Sequence, residues 1–324
     1  MSYADQVFIE TVREILENGT STEGQKVRPH WPDGTSAYTL KSFGVVNRYD
    51  LSKEFPAVTL RKTPVKLCTD EMLWIWQKKS NNIHDLGSHV WDEWADETGS
   101  IGKAYGYQLA KKHCFKDVKD EGLTAAFPAS QGYRFSEDHT RYERDDRLCA
   151  VKDEETGLWR MDQVDKVIYD LVNVPYSRRI MATMWEPSEL FEMNLEPCAY
   201  QVTFNVTKKP DSGKLTLNAV LNQRSQDVLA AMAWNVCQYA VLLHMIARAV
   251  GMEAGELVHI QVDCHCYDRH QDALRELISR TPMPAPKFWL NPEVTDFYRF
   301  TKDDVKFLDY QVAGDQIRNI EIAI

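Results

Sequence analysis

Apolar residues recur at helical spacing near the start of the chain, with Val7, Phe8, Val12, Ile15 and Leu16 sharing a face of residues 4–17. The run stops at Asn18-Gly19, a pair that ends helices well. A turn-rich arm follows to about residue 38, broken by Gly24, Pro29, Pro32, Asp33 and Gly34. Residues 43–47 then read as a strand, 57–60 as a short strand and 69–77 as a buried helix carrying Glu71, Trp74 and Trp76. Residues 81–108, rich in Asn, Asp and Gly with aromatic side chains between them, predict a loop-heavy surface near a site.

The pattern changes between 111 and 162, where charge clusters such as KDVKDEG and SEDHTRYERDDR leave few apolar runs. This stretch reads as an elaboration on a domain, without a second core. Regular patterning returns with a helix at 163–171 and a strand at 180–185. Two β-patterned runs, 200–206 and 215–221, flank Pro210-Asp211-Ser212-Gly213 and predict a hairpin. Residues 226–250 are apolar almost all round, as a helix at the buried centre of a protein must be. A strand at 259–267, a helix at 271–280 and a C-terminal hairpin complete an α+β pattern: a mixed or antiparallel sheet around a long central helix, with an insertion at about 111–162.

Length leaves one large domain or two ordinary ones open at 324 residues. Hydrophobic residues at 44% and charged ones at 27% exclude disorder as the main theme. Asp and Glu outnumber Lys and Arg 48 to 38, a formal charge of −10 that repels nucleic acid and anionic membranes. An anionic ligand therefore needs a local cluster of positive charge. Seven thinly spread cysteines suit reduced thiols in a cytoplasm more than a disulfide framework. Asp5 and Glu10 interrupt what a signal peptide would need, and no apolar run is long enough to span a bilayer, so the expectation is a protein neither exported nor membrane-spanning.

Candidate chemistry gathers at a few places. His259, Cys264, His265, Cys266 and His270 are metal-ligating types, but strand alternation turns Cys264 and Cys266 to the face opposite Asp263, His265 and Tyr267, so no metal site is expected. His265 and Tyr267 share a face and suit a sugar hydroxyl. Arg178-Arg179 could be a solvated surface pair, whereas Arg224-Ser225 abuts the apolar helix, where an anion is favoured. Cys198, in EPCAY, is structural or nucleophilic according to whether a positive neighbour activates it. Asn235, inside the apolar helix, needs partners for its amide, either structural ones or a ligand. No GxSxG, P-loop or GxGxxG is present to support hydrolase, NTPase or dinucleotide readings.

Taken in order, DEMLWIWQ (70–77), VWDEWADETGSIGKAYGYQ (90–108), SRRI (177–180), LEPCAY (195–200), NQRSQDV (222–228), WNVCQYAVLLHMIA (234–247), DCHCYDRH (263–270) and LNPEVTDFY (290–298) resemble the folate-dependent, cysteine-nucleophile thymidylate synthase family. The resemblance implies one catalytic domain over 1–324 and an obligate homodimer. It implies reductive methylation of dUMP to dTMP by 5,10-methylenetetrahydrofolate, releasing dihydrofolate, with no metal. Cys198 would add to C6 of the uracil, and Arg224 would lower the thiol pKa and bind phosphate with Ser225 and Arg28. Arg178 and Arg179 would reach the phosphate of the partner subunit's site. Asn235 would read O4 and N3–H of the base, and His265 with Tyr267 the 3′-hydroxyl. Glu71, Trp91, Trp94 and Tyr105 would face the folate and base, with Glu71 relaying protons and Tyr105 assisting at the C5 proton. Asp227 would hold the pterin, and Ile324 would close over the ligands.

The chain departs from the family pattern at Ala199, where many members carry His, and at 230–234, AAMAW in place of LGLPF. The N-terminal phosphate loop, usually Arg-Thr-Gly-Thr, has Arg28-Pro29-His30 here. A pyrimidine-nucleotide hydroxymethylase is the alternative within the superfamily; a silent nucleotide- or RNA-binding relative is the alternative outside catalysis.

Overall fold

A six-stranded mixed sheet is the frame of the molecule, in the order β1 (Thr20–Ser21), β2 (Thr39–Asp50), β11 (Glu253–Tyr267), β10 (Leu215–Asp227), β9 (Ala199–Lys208), β8 (Met181–Thr183). The computed structural model describes residues 1–317 and 320–324. Only β10 and β11 run parallel; the other pairs are antiparallel. Parallel neighbours need a crossover, and here it is α6 (Met232–Ala249), the apolar helix foreseen from the sequence. Val236, Cys237, Ala240, Val241, Leu243, Met245 and Ile246 are buried along it. The α+β architecture with a central buried helix is thus the observed one.

Boundaries differ from the sequence reading where pairing extends an element. β10 continues through Gln223, Arg224 and Ser225 to Asp227, and α6 begins only at Met232, because Gln223, Ser225, Gln226 and Asp227 stay in register with Gln261, Asp263, Cys264 and His265 of β11. Arg224-Ser225 therefore lies within a strand and not at the mouth of the helix. β11 likewise starts at Glu253. The strand expected at 57–60 does not form. Its polar backbone is satisfied by side chains: Thr59 N–H donates to Asp5 Oδ1 at 2.6 Å, Ser2 Oγ to the Ala57 carbonyl at 3.1 Å, and Tyr310 Oη to the Val58 carbonyl at 2.6 Å. A segment so bonded has no ladder left to offer. Asp5 belongs to α1 (Tyr3–Asn18), whose N-cap is Ser2.

Glu71 sits on α2 (Val65–Leu73), which continues as a π-helical turn over Trp74–Lys78. After α3 (Gly106–Ala110), the 111–162 insertion is more regular than its charge suggested. It forms a five-stranded antiparallel sheet in the order β3 (His113–Phe115), β7 (Trp159–Met161), β6 (Arg147–Lys152), β5 (Arg141–Arg144), β4 (Arg134–Phe135), with α4 (Asp120–Ala126) beside it. Strands of two to six residues leave no long apolar run to detect. Tyr142, Cys149, Ala150, Trp159 and Met161 from this sheet join the same apolar cluster as the rest of the core. Buried ion pairs attach it further: Arg147 with Asp165 of α5 (Gln163–Asn173), and Arg144 with Asp296. The chain ends with α7 (Gln271–Ser279) and the hairpin of β12 (Lys287–Leu290) and β13 (Val305–Leu308). Among the described residues no helix is long and apolar enough to cross a membrane. All seven cysteines are free.

Candidate active site

The ends of β9, β10 and β11 bring the sequence-predicted residues together. Cys198 immediately precedes β9, and its backbone is clamped on both sides: its N–H donates to Tyr105 Oη at 3.0 Å, and its carbonyl accepts from Arg224 N–H at 2.9 Å. The Arg224 guanidinium holds the same loop, with Nε donating to the Pro197 carbonyl at 3.1 Å and Nη2 to the Glu196 carbonyl at 2.7 Å. Arg224 thus fixes the cysteine loop as well as supplying charge. Burial pushes the Cys198 thiol up from its ordinary value, opposed by the positive charges of Arg224 and Arg28 and by the Tyr105 hydroxyl. Arg224 thus acts on the thiol in the expected direction, but the cost of burying a thiolate is the larger effect and leaves the thiol above its ordinary value. Arg28, exposed in the N-terminal arm, is close enough to act on both Cys198 and Tyr267.

Tyr105 reaches Cys198 from a strained backbone. Its φ is +47°, a left-handed conformation rare for a residue with a bulky side chain. The next residue must be glycine, since a Cβ on Gly106 would lie 2.2 Å from the Ser80 carbonyl oxygen. The Tyr105 ring stands edge-on to Trp91 at 5.1 Å, and Trp91 edge-on to Trp94 at 5.6 Å. Behind this aromatic wall lies the buried carboxyl of Glu71, which accepts from Trp91 Nε1 at 3.0 Å and from Trp234 Nε1 at 2.7 Å. Burial pushes Glu71 up from the carboxylate range, against the hydrogen bonds from Trp91 and Trp234.

Trp234 and Gln238 were not among the residues predicted from sequence. Both belong to α6 and face α2, a helix-to-helix contact that linear spacing does not reveal. Trp234 accounts for part of the AAMAW departure: its indole N–H is a donor to Glu71 that Phe, at that place in LGLPF, lacks. Asn235 has structural partners in the free protein, accepting at Oδ1 from Gln223 and donating from Nδ2 to Gln238.

On β11 the alternation holds. Cys264 and Cys266 are fully buried on one face, and His265 and Tyr267 stand 5.2 Å apart, edge to face, on the other. His265 Nδ1 is 2.9 Å from Asp263 Oδ1, and Asp263 pairs with Lys41 at 2.8 Å, so the imidazole is oriented from below. No group of three or more His, Cys, Asp or Glu among the described residues is placed to hold a metal ion. Asp227 ends β10 and accepts from Leu229 and Ala230 N–H at 2.8 and 3.0 Å, capping the turn into α6; Arg61 secures that turn through the Leu229 carbonyl. Ser225 is half-buried two residues away. Ile324 pairs its backbone with His30, two residues from Arg28, in both directions at 3.0 and 2.8 Å.

Arg178 and Arg179 are exposed at the edge strand β8, and Arg179 lines a separate cavity of about 800 Å3 with Lys111, His113, Lys166 and Trp185. A single chain does not bring them into the Cys198 cluster.

Comparison with known proteins agrees with this geometry. The family model described as thymidylate synthase matches residues 6–323. Thymidylate synthase of Bacillus mojavensis is 38% identical over 328 aligned residues, covering 100% of both chains. Thymidylate synthase 1 of Bacillus subtilis strain 168 is 37% identical with the same coverage. Among solved structures, the thermostable thymidylate synthase A from Bacillus subtilis superimposes with a TM-score of 0.79 at 35% identity, covering 99% of each chain. With the match spanning nearly the whole chain and the cysteine, arginine and asparagine segments meeting at one end of the central strands, the chain belongs to the thymidylate synthase family of methyltransferases.

Proposed function

We propose that the protein methylates dUMP to dTMP with 5,10-methylenetetrahydrofolate, releasing dihydrofolate, through a covalent adduct of Cys198 at C6 of the uracil. The observation that carries this reading is the Cys198 loop, clamped by Arg224 and Tyr105 in the neighbourhood of Arg28, with His265 near the end of β11 and Asn235 in the first turn of α6 bonded to Gln223 beside Arg224. C5 of uracil is a weak nucleophile, and adding a sulfur to C6 makes C5 enolate-like. A bound phosphate would bring a dianion to Arg224, Arg28 and Ser225, to which the spare nitrogen of Arg224 is available.

Asn235 can donate to O4 and accept from N3–H. His265, with Nδ1 engaged by Asp263, has Nε2 left for the 3′-hydroxyl alongside Tyr267. The folate supplies the one-carbon unit and the hydride. The donor set fits it: a wall of Trp91 and Trp94 for a flat ring, the buried Glu71 behind them, and Asp227 at the turn. Glu71, its carboxyl raised by burial, is suited to hold and pass a proton, and Tyr105, already in contact with the Cys198 backbone, to assist at the C5 proton. Ile324, anchored to His30, would close the site against water.

A homodimer completes the reading. One face of the main sheet is covered by α6, while Val46, Val262 and Met181 are 52%, 41% and 44% exposed on strands of the same sheet. Arg178 and Arg179 adjoin Met181 at its edge, from which a partner's phosphate site could receive them. The free thiols suit a cytoplasmic enzyme. The test is incubation with dUMP and 5,10-methylenetetrahydrofolate. Equal formation of dTMP and dihydrofolate is the expected outcome; hydroxymethyl product without dihydrofolate would indicate the hydroxymethylase instead, and nucleotide binding without turnover the silent relative.

A further inference from the structure

From Asn235 a run of buried amides leads to a histidine that the chemistry above does not use. His259, on β11, is 0% exposed, and its Nε2 lies 2.8 Å from Gln223 Oε1. Gln223 is itself buried on β10; its Nε2 donates to the Ser225 carbonyl at 3.0 Å and to Asn235 Oδ1 at 3.1 Å. Asn235 Nδ2 then donates to Gln238 Oε1 at 3.2 Å.

The direction of this chain follows from one fixed end. A backbone carbonyl only accepts, so the Gln223 group facing Ser225 must be the amino group. Gln223 Oε1 is thereby turned to His259, whose Nε2 must carry the proton that bonds it. Burial pushes the imidazole down to about 3, so it stays a neutral ring with a single N–H throughout the working range. The second proton of the Gln223 amino group goes to Asn235, which must present its oxygen there. Turning the Asn235 amide over would set amino against amino at Gln223, whose own orientation the Ser225 carbonyl fixes.

This matters because an amide can read two bases. Uracil offers a donor at N3 and an acceptor at O4; cytosine offers an acceptor at N3 and a donor at N4. An Asn free to turn over matches either, and only one held in place discriminates.

We propose that His259 is a positioning residue that, through Gln223, holds the Asn235 amide in the orientation that accepts uracil and refuses cytosine. The inference rests on the assignment of Asn235 to the pyrimidine made above. It is tested with the full-length protein by comparing dissociation constants for dUMP and dCMP, alongside thermal unfolding. His259→Leu, which keeps bulk and removes the N–H, should narrow the preference for dUMP by roughly 10-fold. His259→Gln, which can donate at the same place, should restore most of it. An unchanged ratio in a folded His259→Leu protein overturns the proposal, as does an equal loss for both nucleotides, which marks a merely structural role. Should His259→Leu fail to fold, Gln223→Met must produce the same narrowing, and an unchanged ratio there overturns it equally. Wild-type protein that binds dCMP as well as dUMP would instead overturn the assignment of Asn235.

Discussion

Cys198 carries the proposed chemistry on a thiol that burial pushes up while Arg224, Arg28 and the Tyr105 hydroxyl pull it down. Cys198→Ala should lower dTMP formation by at least about 10³-fold while dUMP still binds, as seen by equilibrium dialysis. Glu71 is governed by its two indole donors. Each stabilises the carboxylate, so removing one must raise the pKa further. Trp234→Phe keeps the ring and loses the N–H. The acidic limb of the pH–rate profile should therefore move to higher pH, by roughly one unit or less for a single neutral hydrogen bond. A limb that stays in place would mean that Glu71 does not control it. The AAMAW departure, unexplained while only the sequence was in view, becomes in part a second donor to a buried acid.

At the scale of elements, the insertion shows how charge can conceal a core. Its clusters read as surface, yet Arg147 pairs with the fully buried Asp165, stacks 3.5 Å over the Tyr298 ring and reaches Tyr133 Oη at 3.0 Å. Burial alone would raise Asp165, but Arg147 and Lys79 outweigh it and hold the carboxyl below its ordinary range. Removing one partner of such a pair strands the other without solvent. Arg147→Met should destabilise the fold by about 3–5 kcal/mol, read from the urea midpoint, and Arg147→Met with Asp165→Leu should recover a large part of that loss. Equal destabilisation in the single and double variants would show that the loss comes from the Arg147 contacts with Tyr298 and Tyr133 and not from a stranded Asp165 charge. Elements whose apolar period was long, α1 and α6, were legible from the chain. The short strands β3 to β7 were not, because two to six residues carry too little period, and the expected strand at 57–60 failed because Asp5, distant in sequence, claims its backbone.

For the molecule as a whole, a net charge of −10 and a phosphate-binding proposal are reconciled by concentrating positive charge at one place. Arg224 and Arg28 act on Cys198 within one chain, while Arg178 and Arg179 stand exposed at the sheet edge. If sites are shared across a dimer, mixing Cys198→Ala with Arg178→Ala chains should restore about a quarter of wild-type activity, since half the dimers carry one intact site. Verified heterodimers without recovered activity would refute the sharing.

Residue identity and local period were enough to determine the α+β class, the central helix, the alternation of β11 and the family resemblance with its Cys198, Arg224, Asn235 and His265. Tertiary structure decided everything that depends on what lies across from a side chain. It set the parallel register that carries β10 past Arg224, and it placed Trp234 and Gln238 of α6 against Glu71 of α2. It put Arg178 and Arg179 away from the Cys198 of their own chain. It also aligned His259, Gln223 and Asn235 into one hydrogen-bonded run. The physical reason is the same in each case: periodicity reports which face of an element is buried, but the partner that satisfies a buried donor or acceptor comes from a distant part of the chain, and only packing brings the two together.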